Sequence, residues 1–442
     1  MPGETILCTP PPPCHGETVV NVKPFRGIRY DKDKVSLQDV ITPPYDVINP
    51  EERDMFYHRS PHNAVRIILN KGEGENRYVQ AKEELEKWIA SGVLKRDEAP
   101  ALYIYEQEFM SDGAAIKRMG FIGSGQLHEY EEGVVIPHEK TLSKAKDDRF
   151  NLTMTTGASF GVVFMLYHDP STAIDSVLRR HADTNLPEYD AVDHFGVRNR
   201  VWVLKEPSAI QQITSIMANK KIYIADGHHR YETALKYKNK MTGEKGSGDW
   251  DYGLMMFINM KAPGLIIYPT HRWVKSLPYA DIDIMLDDCM ELFDVHPLDM
   301  SHSEAYAELE RMGKHSFLVF DDRYHILTLK DPAILDQHGD LSKSEAWRSM
   351  DVSILHSLLF EKYLEIDQDN LQEHVKYTRD RKEAVEKVSQ REYEAAFLML
   401  PPTMEEFIAV ADAGEKMPQK STYFYPKLVT GLVFYKMDGN SL

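Results

Sequence analysis

Short apolar runs alternate with amphipathic stretches along most of this chain. The segment "VVNVKPFRGIRY" (19–30) predicts a short strand leading into a loop. In "ITPPYDVINPEERDMFYHRSPHNAVRIIL", Pro43 and Pro44 force extended backbone, and "NPEER" opens a helix with Asn49 as cap and Pro50 in its first position. The run "AVRIIL" is expected to be a buried strand. Helical spacing of apolar residues in "RYVQAKEELEKWIASGVL" predicts a helix that stops at Gly92. The strands "ALYIYEQEF" and "KRMGFIGSGQL" follow, joined by the turn signal "SDGAA".

A second region opens with an extended piece and a polar loop, "EEGVVIPHEKTLSKAKDD", then a helix starting near Ala145 and the buried strand "FGVVFML". The helix "PSTAIDSVLRRHA", the strand "RVWVL" and the helix "PSAIQQITSIMAN" lead to "YIADGHHRYETALKY". Past it, the glycine-rich "TGEKGSGDW" is a candidate mobile loop. Residues 251–442 again mix strands ("YGLMMFINM", "GLIIYP", "HSFLVF", "YHILTL", "AAFLML") with helices ("SEAYAELERMG", "VSILHSLLFEKYL", "DRKEAVEKVS"). This order predicts an α/β (α+β) protein. The expected divisions are a flexible lead at 1–18, an N-terminal α/β domain at 19–125, a catalytic core at 126–245 and a C-terminal α/β domain at 246–442.

Composition narrows the functional classes. The 442 residues are 42% hydrophobic and 27% charged, which suits packed cores. A net charge of -17 repels nucleic acid and anionic membranes, so neither is an expected partner. The apolar runs fall far short of the roughly 20 residues that cross a bilayer. The first 20 residues lack the basic start and sustained apolar run of a secretory signal. Cys8, Cys14 and Cys289 form no disulfide framework, and free thiols in a reducing cytoplasm are expected.

Three segments carry candidate chemistry. In "IYIADGHHRYETAL" a strand ends at Asp226, the chain turns at Gly227, and His228, His229 and Arg230 crowd the first helical turn. A helix N-terminus with orphan N–H donors and a forked arginine favours an anion such as phosphate. The plainer alternative makes Asp226 a helix cap and the histidines ordinary loop residues. A zinc site is less favoured, because neighbouring histidines in one turn rarely converge on one metal. The second segment, "VVIPHEKTLSKAKDDRFNLT", offers His138 and Glu139 beside Lys140, Lys144 and Lys146, a general base near cations, or else a solvated charged loop. In the third, "MPQKSTYFYPK", Lys420, Ser421 and Thr422 supply a cation and hydroxyls. Arg26, Arg29, Tyr45, Asp46, Thr270, His271 and Arg272 are further polar candidates, each also explicable as a satisfied buried group.

Together, Pro137–His138–Glu139, Asp226 to Tyr231 and Pro418 to Thr422 resemble the free L-serine kinases, which have a ParB/sulfiredoxin-like fold. "PPYDVI", "PHEKT", "DGHHRYETAL" and "PTHR" also resemble a larger, mostly uncharacterised bacterial and archaeal family. The kinase resemblance covers roughly residues 130–442 and implies a ParB/sulfiredoxin-like core. It implies Glu139 as the base that deprotonates the serine hydroxyl. Asp226, Gly227, His228, His229 and Arg230 are implied to hold phosphates, and Lys420, Ser421 and Thr422 to hold the amino acid or its phosphate. His138 and His229 are assigned beside the substrate, and Lys140, Lys144 and Arg272 beside the phosphates. In those kinases an Arg-His pair follows the late motif, whereas Tyr423 and Phe424 stand here.

The expected function is phosphoryl transfer between a nucleotide (ADP or ATP) and a small hydroxyl compound, free L-serine or O-phosphoserine first. Mg²⁺ is the expected cofactor because phosphoryl transfer needs charge neutralisation, while the metal's ligands are unassigned. No Walker loop is present. The alternatives are a ParB-like nucleotide-binding regulatory module and a phosphoserine phosphatase. A homodimer is compatible with this reading, and residues 1–125 are a candidate lid or dimerisation surface.

Overall fold

A computed structural model describes residues 20–442 apart from 112, 140–142 and 279–280; for residues 143–145 it describes the backbone alone. One mixed sheet of nine strands organises residues 22–259. Its strands are β1 (Val22–Lys23), β2 (Leu102–Ser111), β3 (Ala114–Gln126), β4 (Val135–Ile136), β5 (Val163–Tyr167), β6 (Tyr189–Val192), β7 (Arg198–Leu204), β8 (Ile222–Asp226) and β9 (Tyr252–Asn259). They lie in the order β4-β8-β5-β9-β3-β2-β7-β6, with β1 added alongside β3. Strand β8 runs parallel to β4, and β9 runs parallel to β5; the remaining pairs are antiparallel. The expected hairpin is the central β2–β3 pair, and strands from both sides of residue 125 share this one sheet.

Both faces of the sheet are covered, and alternation along the strands shows it. Val163, Met165 and Tyr167 of β5 join one apolar cluster, whereas Phe164 and Leu166 join another. The same split places Ile222 and Ile224 of β8 opposite Tyr223 and Ala225.

The longer helices of this part of the chain are α1 (Pro50–Arg59), α2 (Asn76–Ala90), α3 (Ser143–Thr156), α4 (Ala173–Thr184), α5 (Pro207–Met217) and α6 (His228–Lys245). Helix α1 starts as expected. The Asn49 side chain accepts from the Glu52 N–H at 2.8 Å, and the Glu52 carboxylate accepts from the Asn49 N–H at 2.9 Å. Gly92, just past α2, has a φ of +69°.

Beyond β9 come β10 (Ile266–Tyr268), β11 (His271–Val274), β12 (Phe293–Leu298), β13 (Ser316–Phe320), β14 (Tyr324–Leu329), β15 (Val375–Thr378), β16 (Ala395–Leu398), helix α7 (Met404–Asp412) and β17 (Tyr423–Tyr425). Six of these strands form an antiparallel sheet, β12-β14-β13-β16-β11-β15, while β10 pairs with β17 alone. One apolar cluster runs from Phe164 and Phe424 to Phe317 and Phe397, joining the two large sheets.

Two local expectations are corrected. "AVRIIL" forms a single helical turn, Val65–Ile68, rather than a strand. The buried Asn63 makes that turn: its side chain accepts from the Val65 N–H at 2.9 Å and donates to the Asp39 carbonyl at 2.9 Å. A run that is apolar on every side carries no period to separate helix from strand. In "TGEKGSGDW", α6 continues to Lys245 and stops at Gly246, whose φ is +79°. The segment then closes in a turn at 249–251, with the Trp250 indole donating to the Gly246 carbonyl at 2.9 Å.

Candidate active site

The strand-to-helix corner at Asp226 is built by a bulge and a left-handed glycine. The register between β8 and β5 shifts between Ile224 and Asp226, leaving Ala225 as the extra residue and re-aiming the strand end. Gly227 then adopts a φ of +93°, and a Cβ there would lie 2.9 Å from Arg230 Nε. Glycine is therefore required by the backbone and by the packing of Arg230.

Asp226 makes no cap bond to α6; its carboxylate joins two cations instead. Oδ2 accepts from Arg230 Nη2 at 2.5 Å, and Oδ1 accepts from Lys427. Burial alone favours the neutral acid, but Lys427 and Arg230 outweigh it and hold the carboxyl well below the usual carboxylate range. Arg230 also donates to the Val162 carbonyl, which fixes its fork beside the start of α6.

Behind this corner two histidines are locked in neutral tautomers. His138 Nδ1 lies 2.7 Å from the Ile224 carbonyl, so Nδ1 carries the proton and Nε2 accepts from the Thr422 hydroxyl at 2.9 Å. The His138 N–H donates to His228 Nε2 at 3.2 Å, which leaves the His228 proton on Nδ1. That nitrogen faces Glu139 Oε2 at 3.8 Å. Burial pushes His138 down to about 4, and it pushes His228 well below the ordinary histidine value, with His138 adding to the effect. His228 is thus a buried partner of Glu139. His229, half-buried on the cleft lining, is also lowered by burial.

Glu139 stands at the cleft wall one residue past His138, and the parallel pairing of β4 with β8 brings it beside the Asp226 corner. Burial raises its pKa; Lys420 opposes the rise and Asp226 adds to it. The effect is to make Glu139 a stronger base than an exposed carboxylate.

The late segment closes the other wall. The Met417 N–H donates to the His138 carbonyl at 2.8 Å, and Lys420 lines the cleft from a residue with a φ of +58°. Thr422 also lines it. The Ser421 hydroxyl instead donates to the Pro418 carbonyl at 2.5 Å and is absent from the lining.

Arg272 likewise stands behind the site. Its guanidinium donates to the carbonyls of Thr270 and, at 3.3 Å, Lys420, and burial pushes its pKa down to about 10. It supports the Lys420 turn from below. Arg29 pairs with Asp97 at 2.6 Å, and Arg26 donates to the Asp97 carbonyl at 2.9 Å, so neither faces the cleft. Lys140 and the side chain of Lys144 lie outside the described residues.

These pieces surround a cleft of about 580 Å³. Glu139, Asp226, Gly227, His228, His229, Arg230, Lys420 and Thr422 all line it, so three segments far apart in sequence converge. Tyr45 and Asp46 line it as well, with the Arg149 guanidinium 4.3 Å from the Tyr45 ring. Lys427, Arg379, Asp380 and Glu383 are lining residues that the motifs did not single out. Lys427 Nζ lies 4.4 Å, and Arg379 Cζ 3.3 Å, from the centre of the Tyr423 ring. Such cation–aromatic contacts hold both charges at one place.

A family model described as "Protein of unknown function (DUF1015)" matches residues 22–353. The chain belongs to the DUF1015 family. Nine of the described lining residues, from Tyr377 to Lys427, lie beyond the part of this DUF1015 chain that the family model matches. No curated protein matches the sequence.

Among solved structures, a free serine kinase in complex with AMP is 15% identical, with 68% of this chain and 89% of that one covered and a TM-score of 0.34. A conserved hypothetical protein from Pyrococcus furiosus is 13% identical, covering 70% and 91%, with a TM-score of 0.33. C-terminally truncated SbnI from Staphylococcus aureus is 9% identical, covering 68% and 84%, with a TM-score of 0.34.

Proposed function

We propose that this DUF1015 protein is a phosphotransferase that moves a phosphoryl group between a nucleotide and the hydroxyl of a small substrate. One observation carries the reading. A carboxylate of raised proton affinity, Glu139, faces the same cleft as a pair of cations, Arg230 and Lys427, fixed on one carboxylate at the start of a helix. In this reading Glu139 takes the proton from the attacking hydroxyl. Arg230, Lys427 and Lys420 stabilise the phosphate oxygens, whose charge shifts during transfer. The neutral His228 packs beside Glu139, with Nδ1 3.8 Å from the carboxylate.

Free L-serine, with O-phosphoserine as its counterpart, is the acceptor we propose, and the Pro-His-Glu, Asp-Gly-His-His-Arg and Lys-Ser-Thr motifs support it. The ParB/sulfiredoxin-like core implied by those motifs belongs to the same reading.

Mg²⁺ fits only as a visitor. Among the described residues no group of three or more His, Cys, Asp or Glu side chains is placed to hold a metal ion. A magnesium ion here would keep mostly water and phosphate oxygens as ligands, as it commonly does with nucleotides.

Phosphorus NMR of the purified protein with Mg²⁺, L-serine and ADP or ATP, and with O-phosphoserine plus AMP or ADP, tests the proposal. Phosphoserine formation, or its nucleotide-dependent loss, supports it. Phosphate release without nucleotide points to a phosphatase, and nucleotide binding without turnover points to a regulatory module.

A further inference from the structure

A second, larger hollow adjoins the cleft. It is a groove of about 1050 Å³ that shares Val47, Arg379, Asp380, Tyr423 and Lys427 with the cleft lining. Its character differs. Tyr268 and Tyr425 line it as a stacked pair, with ring centres 4.8 Å apart and planes 24° apart. Pro269, Pro426 and Phe195, a residue 56% exposed, add rigid or apolar wall. At the junction stands Tyr423, with both Lys427 and Arg379 against its ring.

The two hollows therefore form one path, with aromatic and apolar walls at one end and a reactive carboxylate at the other. Two cations, Arg379 and Lys427, sit between them with the Asp380 carboxylate beside Arg379 in sequence. A molecule that suits this path is flat and aromatic at one end and polyanionic at the other. A compact amino acid uses only the cleft, and an alkyl chain has no use for the cations at the junction.

We infer that the groove takes the nucleoside half of the nucleotide, with its diphosphate crossing the junction over Arg379 and Lys427 and its terminal phosphate beside Glu139. This inference rests on the proposed phosphotransferase reading and adds the placement of the base. Stacking on aromatic side chains contributes usefully to base affinity and tolerates different bases, so selectivity among purines and pyrimidines is weak in this arrangement. Arg379 becomes a phosphate-binding residue, held in place by Tyr423.

Calorimetric titration of the full chain with ADP and with inorganic pyrophosphate separates the two ends. The expected result is tighter binding of ADP than of pyrophosphate. Tyr268→Ala is expected to weaken ADP binding about tenfold and leave pyrophosphate unchanged, while Arg379→Ala weakens both. Ile116→Trp, which fills the groove from a partly exposed wall, guards against a folding defect in Tyr268→Ala and is expected to act in the same direction.

Equal affinity for ADP and pyrophosphate in the unsubstituted protein, or ADP affinity unaffected by both groove variants, overturns the placement and leaves the phosphotransferase reading standing. No binding of either compound overturns both.

Discussion

His228 and Glu139 meet across 3.8 Å, with the imidazole neutral and its Nδ1 proton directed at the carboxylate. A buried neutral neighbour at that distance does not compete for the proton that Glu139 is proposed to take. Glu139→Gln keeps the shape and removes the basicity. The expected outcome is a loss of roughly 10²- to 10⁴-fold in kcat, with nucleotide affinity preserved; single-turnover kinetics and calorimetry check the two halves.

The pH profile follows from the direction of the Glu139 shift. Its pKa is raised, and the base works only when ionised, so activity falls as pH drops through a value above the ordinary carboxylate range of about 4.3. Burial is the main cause of the rise, so His228→Ala, which removes the buried ring behind Glu139 and admits water, is expected to move the acid limb to lower pH. A purely structural loss would lower the plateau without moving the limb.

Asp226 anchors two cations whose side chains are only 9% and 14% exposed. Asp226→Ala leaves them close together without their counter-charge and is expected to cost roughly 3–5 kcal/mol of stability. The sign with pH is definite: the folded pKa is depressed, so this stabilisation is present above the unfolded value of about 3.9 and is lost as pH falls toward the lowered folded value. Denaturant titrations of both proteins across that range check it.

Histidines buried in the neutral form give a separate acid sensitivity. Burial lowers His138 to about 4 and His271 and His356 to about 3. The unfolded chain binds protons at these groups below about pH 6.5 while the folded chain does not, so stability is full above that pH and declines as pH falls toward 4. Thermal melts between pH 7.5 and 4.5 are expected to show a steady fall in Tm, and His356→Leu should flatten part of it.

Gly227→Ala meets both a left-handed backbone and the Arg230 guanidinium at 2.9 Å. A cost of about 1–2 kcal/mol is expected from the backbone alone, with further loss where Arg230 is displaced. Gly243→Ala, a helical glycine with open space around its Cβ, should raise stability by up to about 1 kcal/mol and serves as the control.

Much of the corner was legible in the sequence, because strand, glycine turn and helix start are local signals. The cap at Asn49 was legible for the same reason: it lies three residues from its partner Glu52. Lys427 was not legible. Its partner Asp226 is 201 residues away, and the pairing of β17 with β10 carries the chain there. Arg379 follows β15 and precedes the helix predicted at "DRKEAVEKVS", with no local signal of its own. Arg272 and Ser421 differ in the opposite way: their side-chain chemistry suits a site, and in the structure main-chain carbonyls accept their hydrogen bonds. The turn at Val65–Ile68 escaped because an asparagine outside the run decides it.

The first described strands are tied to residues far along the chain. The Arg26 N–H donates to the Ser441 carbonyl at 2.7 Å, and Ile28 and Phe434 exchange backbone hydrogen bonds at 3.0 and 2.9 Å. During synthesis, residues 26–28 leave the ribosome about 400 residues before their partners exist, and Glu139 and Asp226 wait similarly for Lys420, Thr422 and Lys427. The cleft therefore cannot assemble in full on a partly made chain. Contacts of such long sequence separation are slow to form, so the wall that Lys420, Thr422 and Lys427 supply depends on the last part of the chain. A stop between Arg230 and Lys420 yields a product that holds the proposed base and Arg230 but neither Lys420 nor Lys427.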